Sequence, residues 1–147
     1  MKRFVRMKTI STNAAVIFAF IGFTVLAWTG VCWADWILFH KTEDADLYYD
    51  KDDITRSSSG TANVWAKYVF TKQGVRDKVN VLGEKFENLD HSITLFEFDC
   101  VGKLILSLST VYFSKDKSVL EIKEPDNDWE YVSTGSLFDT LYNKVCK

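Results

Sequence analysis

The sequence predicts an α+β fold, a mainly antiparallel β-sheet of about six strands with an α-helix packed on it at the C-terminus. Apolar and polar residues alternate with a period of two along three long segments, 62–71, 91–100 and 103–114. Such alternation is typical of strands that turn one face to a core. Near the C-terminus the spacing becomes helical, and one apolar stripe consists of Leu137, Phe138, Leu141, Tyr142 and Val145.

Shorter apolar runs predict the remaining strands, at 36–40, 47–50 and 119–122, with another extended piece at 129–132. Within the last long strand, strict alternation places Leu104, Leu106, Leu108, Thr110 and Tyr112 on one face. The other face then carries Ile105, Ser107, Ser109, Val111 and Phe113. Three long alternating strands need an apolar layer above them, and the C-terminal helix supplies one.

The C-terminal helix has a recognisable start. The Ser136 hydroxyl can accept a hydrogen bond from a free amide of the first turn, and Asp139 suits the positive end of the helix dipole. Helical spacing also predicts a second helix around 75–88. Gly83 weakens that helix by roughly 1 kcal/mol relative to Ala, so a broken helix or a long loop is the alternative.

The first 34 residues have the layout of an export signal. Lys2, Arg3, Arg6 and Lys8 precede the uncharged apolar run 14–27, and small residues stand three and one positions before Asp35. We therefore predict a signal peptide over 1–34, cleaved after Ala34, and one domain over 35–147. The apolar stretch counted from Ala14 to Ala34 is about 20 residues long, so an uncleaved membrane anchor is the alternative. Lipidation at Cys32 is a third alternative, and it is disfavoured because bulky Val31 stands where a small residue is needed before a lipidated cysteine.

Charge and cysteine content limit the kinds of partner and the kind of site that the domain is expected to have. Beyond residue 34 the chain has 14 basic and 20 acidic residues, a formal charge of −6, which disfavours nucleic acid and anionic membrane surfaces as partners. Cleavage leaves two cysteines, Cys100 and Cys146, and an exported domain is expected to join them in a disulfide. A catalytic thiol is the weaker alternative, because only His40 and His91 are available as bases.

No catalytic, metal or cofactor site is predicted. The acidic stretch 43–53 has Asp-x-Asp spacing, but apolar residues interrupt it and no turn glycine follows. Two histidines cannot complete a zinc site, and Gly-rich phosphate loops and a Gly-x-Ser-x-Gly motif are absent from the sequence. Most aromatic residues are expected in the core or in strand pairs, with Tyr49 and Trp129 as exposed exceptions that could contact a partner.

Short motifs then follow one another through the domain. They are Leu47–Asp50, Ile54–Arg56, Val64–Lys67, Glu87–Ser92, Glu97–Cys100, Tyr112–Ser114, Trp129, Gly135–Ser136 and Leu141–Lys147. In this order, with the two cysteines, the chain resembles the surface-adhesin protein E family of bacterial envelope proteins over nearly all of 35–147. The resemblance implies an antiparallel sheet bridged to a helix through Cys100 and Cys146.

Two positions depart from the family pattern. The best-known member is an outer-membrane lipoprotein, whereas Cys32 has a poor lipidation context, and Thr134 stands where similar sequences often have Pro. The family name records binding of host proteins such as vitronectin and laminin, but no binding residue can be matched to this chain.

The resemblance implies a non-catalytic, exported binding protein of the periplasm, outer-membrane surface or extracellular space, with a protein or extracellular-matrix partner. Self-association into a homodimer is a further expectation, and membrane contact is expected only if the leader stays attached. The alternative is a periplasmic small-ligand carrier or small hydrolase, which predicts a deep pocket where His91 or several carboxylates converge.

Overall fold

The computed structural model of the protein describes residues 34–147. The predictions of a signal peptide, a membrane anchor or lipidation at Cys32 concern residues outside this range. The strands are β1 (Trp36–Lys41), β2 (Ala45–Asp50), β3 (Thr55–Arg56), β4 (Thr61–Phe70), β5 (Leu89–Asp99), β6 (Leu104–Ser114), β7 (Val119–Lys123) and β8 (Glu130–Tyr131). The helices are α1 (Lys72–Leu82) and α2 (Leu137–Val145), with a short 3₁₀ helix over Glu84–Phe86.

All eight strands belong to one antiparallel sheet in the order β1–β2–β4–β5–β6–β7, with β3 on β4 and β8 on β6. The predicted fold class is confirmed, and the long strands lie within a few residues of their predicted bounds. The two-residue strand β3 was not predicted, since Thr55 and Arg56 show no alternation of their own and pair only because β4 lies beside them.

The predicted faces of β6 are only partly right. The register with β5 shifts between the pairs Leu95–Ser109 and Phe96–Ser107, so Leu108 is an extra residue on β6. A bulge of this kind reverses the alternation beyond it. As a result, Ile105 and Ser107 share a face with Thr110 and Tyr112 instead of opposing them.

The second predicted helix is present, but it is shorter than 75–88 and broken at Gly83. It begins at Lys72 because the Thr71 side chain accepts a hydrogen bond from the amide of Gly74 at 3.2 Å. It ends at Leu82, since Gly83 has φ 100°, a conformation that favours glycine. The 3₁₀ helix that follows turns Phe86 into the interior, edge-on to Tyr112 with ring centroids 5.3 Å apart.

The C-terminal helix begins as predicted. Ser136 Oγ accepts from the amide of Asp139 at 3.1 Å, and Asp139 Oδ2 accepts from the amide of Gly135 at 2.9 Å. Its buried residues Leu141 and Val145 join the core on β4, β5 and β6, which includes Val64 and Phe98. Within residues 34–147, neither helix is long and apolar enough to cross a membrane.

Among the described residues, every helix packs on the same face of the sheet. Helix α2 covers one end of it through Phe138, whose ring lies 5.5 Å from that of Phe96. Helix α1 lies near the other end, where the ammonium of Lys78 is 5.8 Å from the ring of Phe70. We call this side the helix-bearing face and the opposite side the helix-free face.

Candidate functional site

Cys100 and Cys146 form the predicted disulfide, with their Cα atoms 5.4 Å apart. Cys100 follows the end of β5 and Cys146 caps the end of α2, so the bond joins helix to sheet. The Tyr142 hydroxyl also donates to the carbonyl oxygen of Cys100 at 2.7 Å. Both sulfurs are therefore part of the fold, and neither is a free nucleophile.

The helix-free face is broad and largely apolar. Its centre runs across the four middle strands of the sheet path, and its half-buried apolar residues are Tyr48, Trp65, Ile93, Leu95, Leu106 and Val111. Its edges are more open, with Leu38 of β1 exposed at 42% and Ile122 of β7 at 63%. Within residues 34–147, no helix covers this face.

Two charged side chains flank the centre of the helix-free face. Trp65 on β4 pairs with Leu95 on β5. Lys67 lies two residues further along β4 and Glu97 two residues further along β5, so the two charges lie at opposite ends of that pair. His91 lies nearer the end of the face, stacked on Phe113 at 4.9 Å, with Nδ1 2.7 Å from a carboxylate oxygen of Asp90. An aromatic and aliphatic centre with few charges is typical of a protein interface.

The two predicted partner contacts differ in the structure. Trp129, just before β8, is 40% exposed, as expected. The expected exposure of Tyr49 is wrong, because its side chain lies in the core with 9% exposed. The ring of Phe39 on β1 packs edge-on against it at 6.1 Å, a contact between neighbouring strands that a single run of sequence does not show. Any role of Trp129 in binding stays a prediction.

The carboxylates and histidines do not converge. In the described part of the chain, no group of three or more His, Cys, Asp or Glu side chains could hold a metal ion. The acidic stretch 43–53 is divided among separate contacts, including ion pairs of Lys41 with Asp46 at 3.0 Å and of Lys51 with Asp52 at 3.6 Å. His40 and His91 lie on different strands, β1 and β5.

A cleft of about 230 Å³ lies on the helix-bearing face, beside α1. It is lined by hydroxyl side chains, the rings of Phe70 and Phe96, the ammonium of Lys78 and the carboxylate of Asp126. A hydrolase or a carrier was expected to have a deep pocket where His91 or several carboxylates converge, and this cleft is different. His91 lies on the opposite face of the sheet, and Asp126 is the one carboxylate among the described residues that line the cleft.

The sequence alone does not predict this cleft. Ser92 and Thr94 lie with Phe96 on one face of β5, as the period-two alternation of 91–100 predicts. Their alignment with hydroxyls on neighbouring strands depends on register and on the β6 bulge, for which the sequence has no local signal.

One of the comparisons with known proteins finds a match. The family model for surface-adhesin protein E matches residues 36–147, which is the whole sheet with both helices. Neither the curated proteins nor the solved structures include a match to the chain. Because the family model covers most of the chain, the protein belongs to the surface-adhesin protein E family.

Proposed function

We propose that this protein is an exported, non-catalytic adhesin of the cell envelope that binds a protein partner through its helix-free face. In this proposal residues 1–34 direct export, and the domain over 35–147 carries the binding surface. Family membership supports an adhesin. The Cys100–Cys146 disulfide supports an oxidising compartment, since such bonds form and persist outside the cytosol.

The observation that carries the proposal is the apolar, aromatic character of the helix-free face. An antiparallel sheet that is covered on one face commonly turns polar residues to water on the other face. Here Trp65, Leu95 and Leu106 occupy the middle of that side instead. Large contiguous apolar patches on monomeric domains typically mark interaction sites.

The size of the face fits a protein partner. Six strands spaced about 4.8 Å apart, with central strands of ten residues or more rising about 3.4 Å each, have an area on the order of 800 Å². A standard protein interface buries about 800 Å² on each partner. Lys67 and Glu97 then provide orientation, because charges near an apolar centre mainly set specificity and association rate.

Trp129 and Tyr131 extend the surface towards β8. Tyr131 is 64% exposed and pairs with Leu104, on the helix-free side of β6. Tryptophan and tyrosine are common among residues that carry much of an interface's binding energy. We therefore propose Trp129 as a peripheral contact of the same partner.

The test is binding of the purified protein, produced from the full chain, to immobilised laminin and vitronectin, measured by surface plasmon resonance. We expect Trp65→Lys to weaken binding by roughly tenfold or more, because an interface-centre tryptophan is replaced by a charge. Lys67→Glu tests the same surface with little risk to folding. Val101→Lys is the matched control, since Val101 is 85% exposed in the turn between β5 and β6.

Equal binding by all of these variants would remove the helix-free face from the proposal. Sedimentation velocity is measured in parallel, because a second copy of the chain is the competing occupant of the same face. A dimer that Trp65→Lys dissociates, with no binding to either immobilised protein, would overturn the proposed partner and assign the face to self-association.

A further inference from the structure

The floor of the cleft beside α1 contains six hydroxyl groups on the helix-bearing face. They belong to Tyr68, Ser92, Thr94, Ser107, Thr110 and Tyr112. Elsewhere on this face the same strands carry buried apolar residues such as Val64, Phe98 and Ile105. The change from apolar to hydroxyl side chains therefore coincides with the part of the face between the two helices.

The register of three strands aligns these hydroxyls. Ser92 on β5 lies directly opposite Tyr68 on β4 and Tyr112 on β6. One step along, Thr94 lies opposite Thr110, and their hydroxyl oxygens are 3.0 Å apart. The aligned groups form two short rows across the sheet.

Three of the residues that carry these hydroxyls are almost completely buried. Ser92, Thr94 and Thr110 are only 3%, 4% and 7% exposed. Placing polar groups there costs free energy unless they form hydrogen bonds, and a hydroxyl can both donate and accept. Burial raises the pKa of the Tyr68 and Tyr112 phenols, so both remain protonated donors.

Two charged side chains, those of Lys78 and Asp126, line the cleft. Lys78 on α1 lies over the ring of Phe70, where β4 ends, and it forms no ion pair with any residue of 34–147. Asp126 lies beside β6, where its amide donates to the carbonyl of Ser107 at 2.9 Å. Its carboxylate is already paired with Lys123 at 2.8 Å. The cleft thus has one available cation and a neutralised anion.

We propose that this cleft binds a short saccharide whose sugar ring bears a carboxylate. The hydroxyl rows match the donors and acceptors of a sugar, the apolar wall formed by Phe70 and Phe96 suits its C–H groups, and Lys78 suits the carboxylate. The volume of about 230 Å³ is below the roughly 300–1,000 Å³ of pockets for drug-sized ligands, so one ring fits best.

This site is separate from the proposed protein-binding surface, because the two lie on opposite faces of the sheet. The probes are methyl β-D-glucuronide and methyl β-D-glucoside, which differ only at C6, where the first has a carboxylate and the second a hydroxymethyl group. Sodium acetate is the third probe and tests a carboxylate without a sugar. Binding is followed through the amide resonances of Ser92, Thr94 and Thr110 in isotope-labelled protein. We expect the glucuronide to bind roughly tenfold more tightly than the glucoside, the factor that one charge-assisted contact supplies.

Variants assign the contacts. Lys78→Gln is expected to reduce glucuronide affinity to that of the glucoside, and Ser107→Ala to weaken both sugars. Lys144→Gln on α2 is the control and should change neither affinity. An unchanged amide spectrum away from the cleft shows that each variant is folded.

Three results would each overturn the proposal: no response of the cleft amides to either sugar, an equal response to acetate, or an unchanged affinity ratio in Lys78→Gln. A failure here would leave the helix-free face intact, since Trp65→Lys reports on a protein partner and not on a sugar.

Discussion

Arg56 donates two hydrogen bonds to the main-chain oxygen of Val145, from Nε at 3.2 Å and from Nη2 at 2.9 Å. Val145 is the last residue of α2, so its carbonyl is one of those left without a partner in the helix. A guanidinium at this position also suits the negative end of the helix dipole. Arg56 of the two-residue strand β3 thus holds the last residue of α2, and the disulfide holds the next residue, Cys146.

Arg56→Lys is predicted to loosen this end of α2. Lysine keeps the charge but loses the paired donors of the guanidinium. We expect a loss of about 1 kcal/mol in the free energy of unfolding, measured with urea, since a hydrogen bond to a charged group contributes about 1.5–3 kcal/mol and this side chain is solvent-exposed. Arg76→Lys on α1 is the control, because Arg76 bonds to Gln73 of the same helix. Equal losses in both variants would contradict the role of Arg56.

Removal of the disulfide is predicted to cost more. Cys100 and Cys146 are 46 residues apart, and a loop of this length corresponds to about 4 kcal/mol in the chain-entropy estimate. We expect the Cys100→Ala/Cys146→Ala variant to lose up to about this amount in urea unfolding, and the wild type with reductant to behave alike. Reductant has no target in the double variant within the domain. A reduced wild type as stable as the oxidised one would contradict a structural disulfide.

Gly74→Ala is predicted to destabilise the protein although it raises helix propensity. Gly74 is buried in the first turn of α1, and a Cβ there would lie 2.9 Å from the carbonyl carbon of Asp44. The preceding loop is held in place, because the Thr71 amide donates to Asp44 O at 2.8 Å. Overpacking of this kind costs about 1–3 kcal/mol, more than the roughly 1 kcal/mol that alanine gains over glycine in a helix.

Asn80→Ala is the matched control on the same helix, since Asn80 is exposed and only the propensity changes. It should raise the urea midpoint slightly, whereas Gly74→Ala should lower it. A rise in both midpoints would show that the loop at Asp44 can move away.

The fold could be predicted largely because its signals are local. The alternation in 62–71 specifies a strand with one buried face, and Ser136 and Asp139 mark a helix start within four residues. Gly83 also signalled the break in the second helix. Each of these features depends on residues near one another in the chain, so a single sequence shows them.

The remaining features depend on neighbours that are distant in sequence. Tyr49 has the local pattern of a strand residue that could face either way. It is buried because its side chain belongs to the core cluster and the ring of Phe39 packs against it. The hydroxyl rows need the register of β4, β5 and β6, and the extra residue Leu108 changes that register. Neither the cleft nor the helix-free face could therefore be located before the strands were paired.

Acid is predicted to weaken the fold between about pH 4 and pH 2, through Asp116 and Asp139. The Ser114 hydroxyl, with the amide of Ser118, lowers the pKa of Asp116 to about 2. The amide of Gly135, with Lys103, lowers the pKa of Asp139. A carboxyl group whose pKa is lower in the folded state stabilises the fold above its unfolded pKa, and that contribution is lost as the pH falls through the folded value.

The urea midpoint of the wild type should therefore fall as the pH is lowered across this window. Asp116→Asn should fall less steeply, because the amide does not titrate, and Asp116→Asn/Asp139→Asn less steeply still. Asp53→Asn is the control, since Asp53 is exposed and has no hydrogen bond or ion pair with another residue of 34–147. If the Asp53 and Asp116 variants followed the same pH profile, the acid sensitivity would come from general charge repulsion in place of the Ser114 and Ser118 contacts.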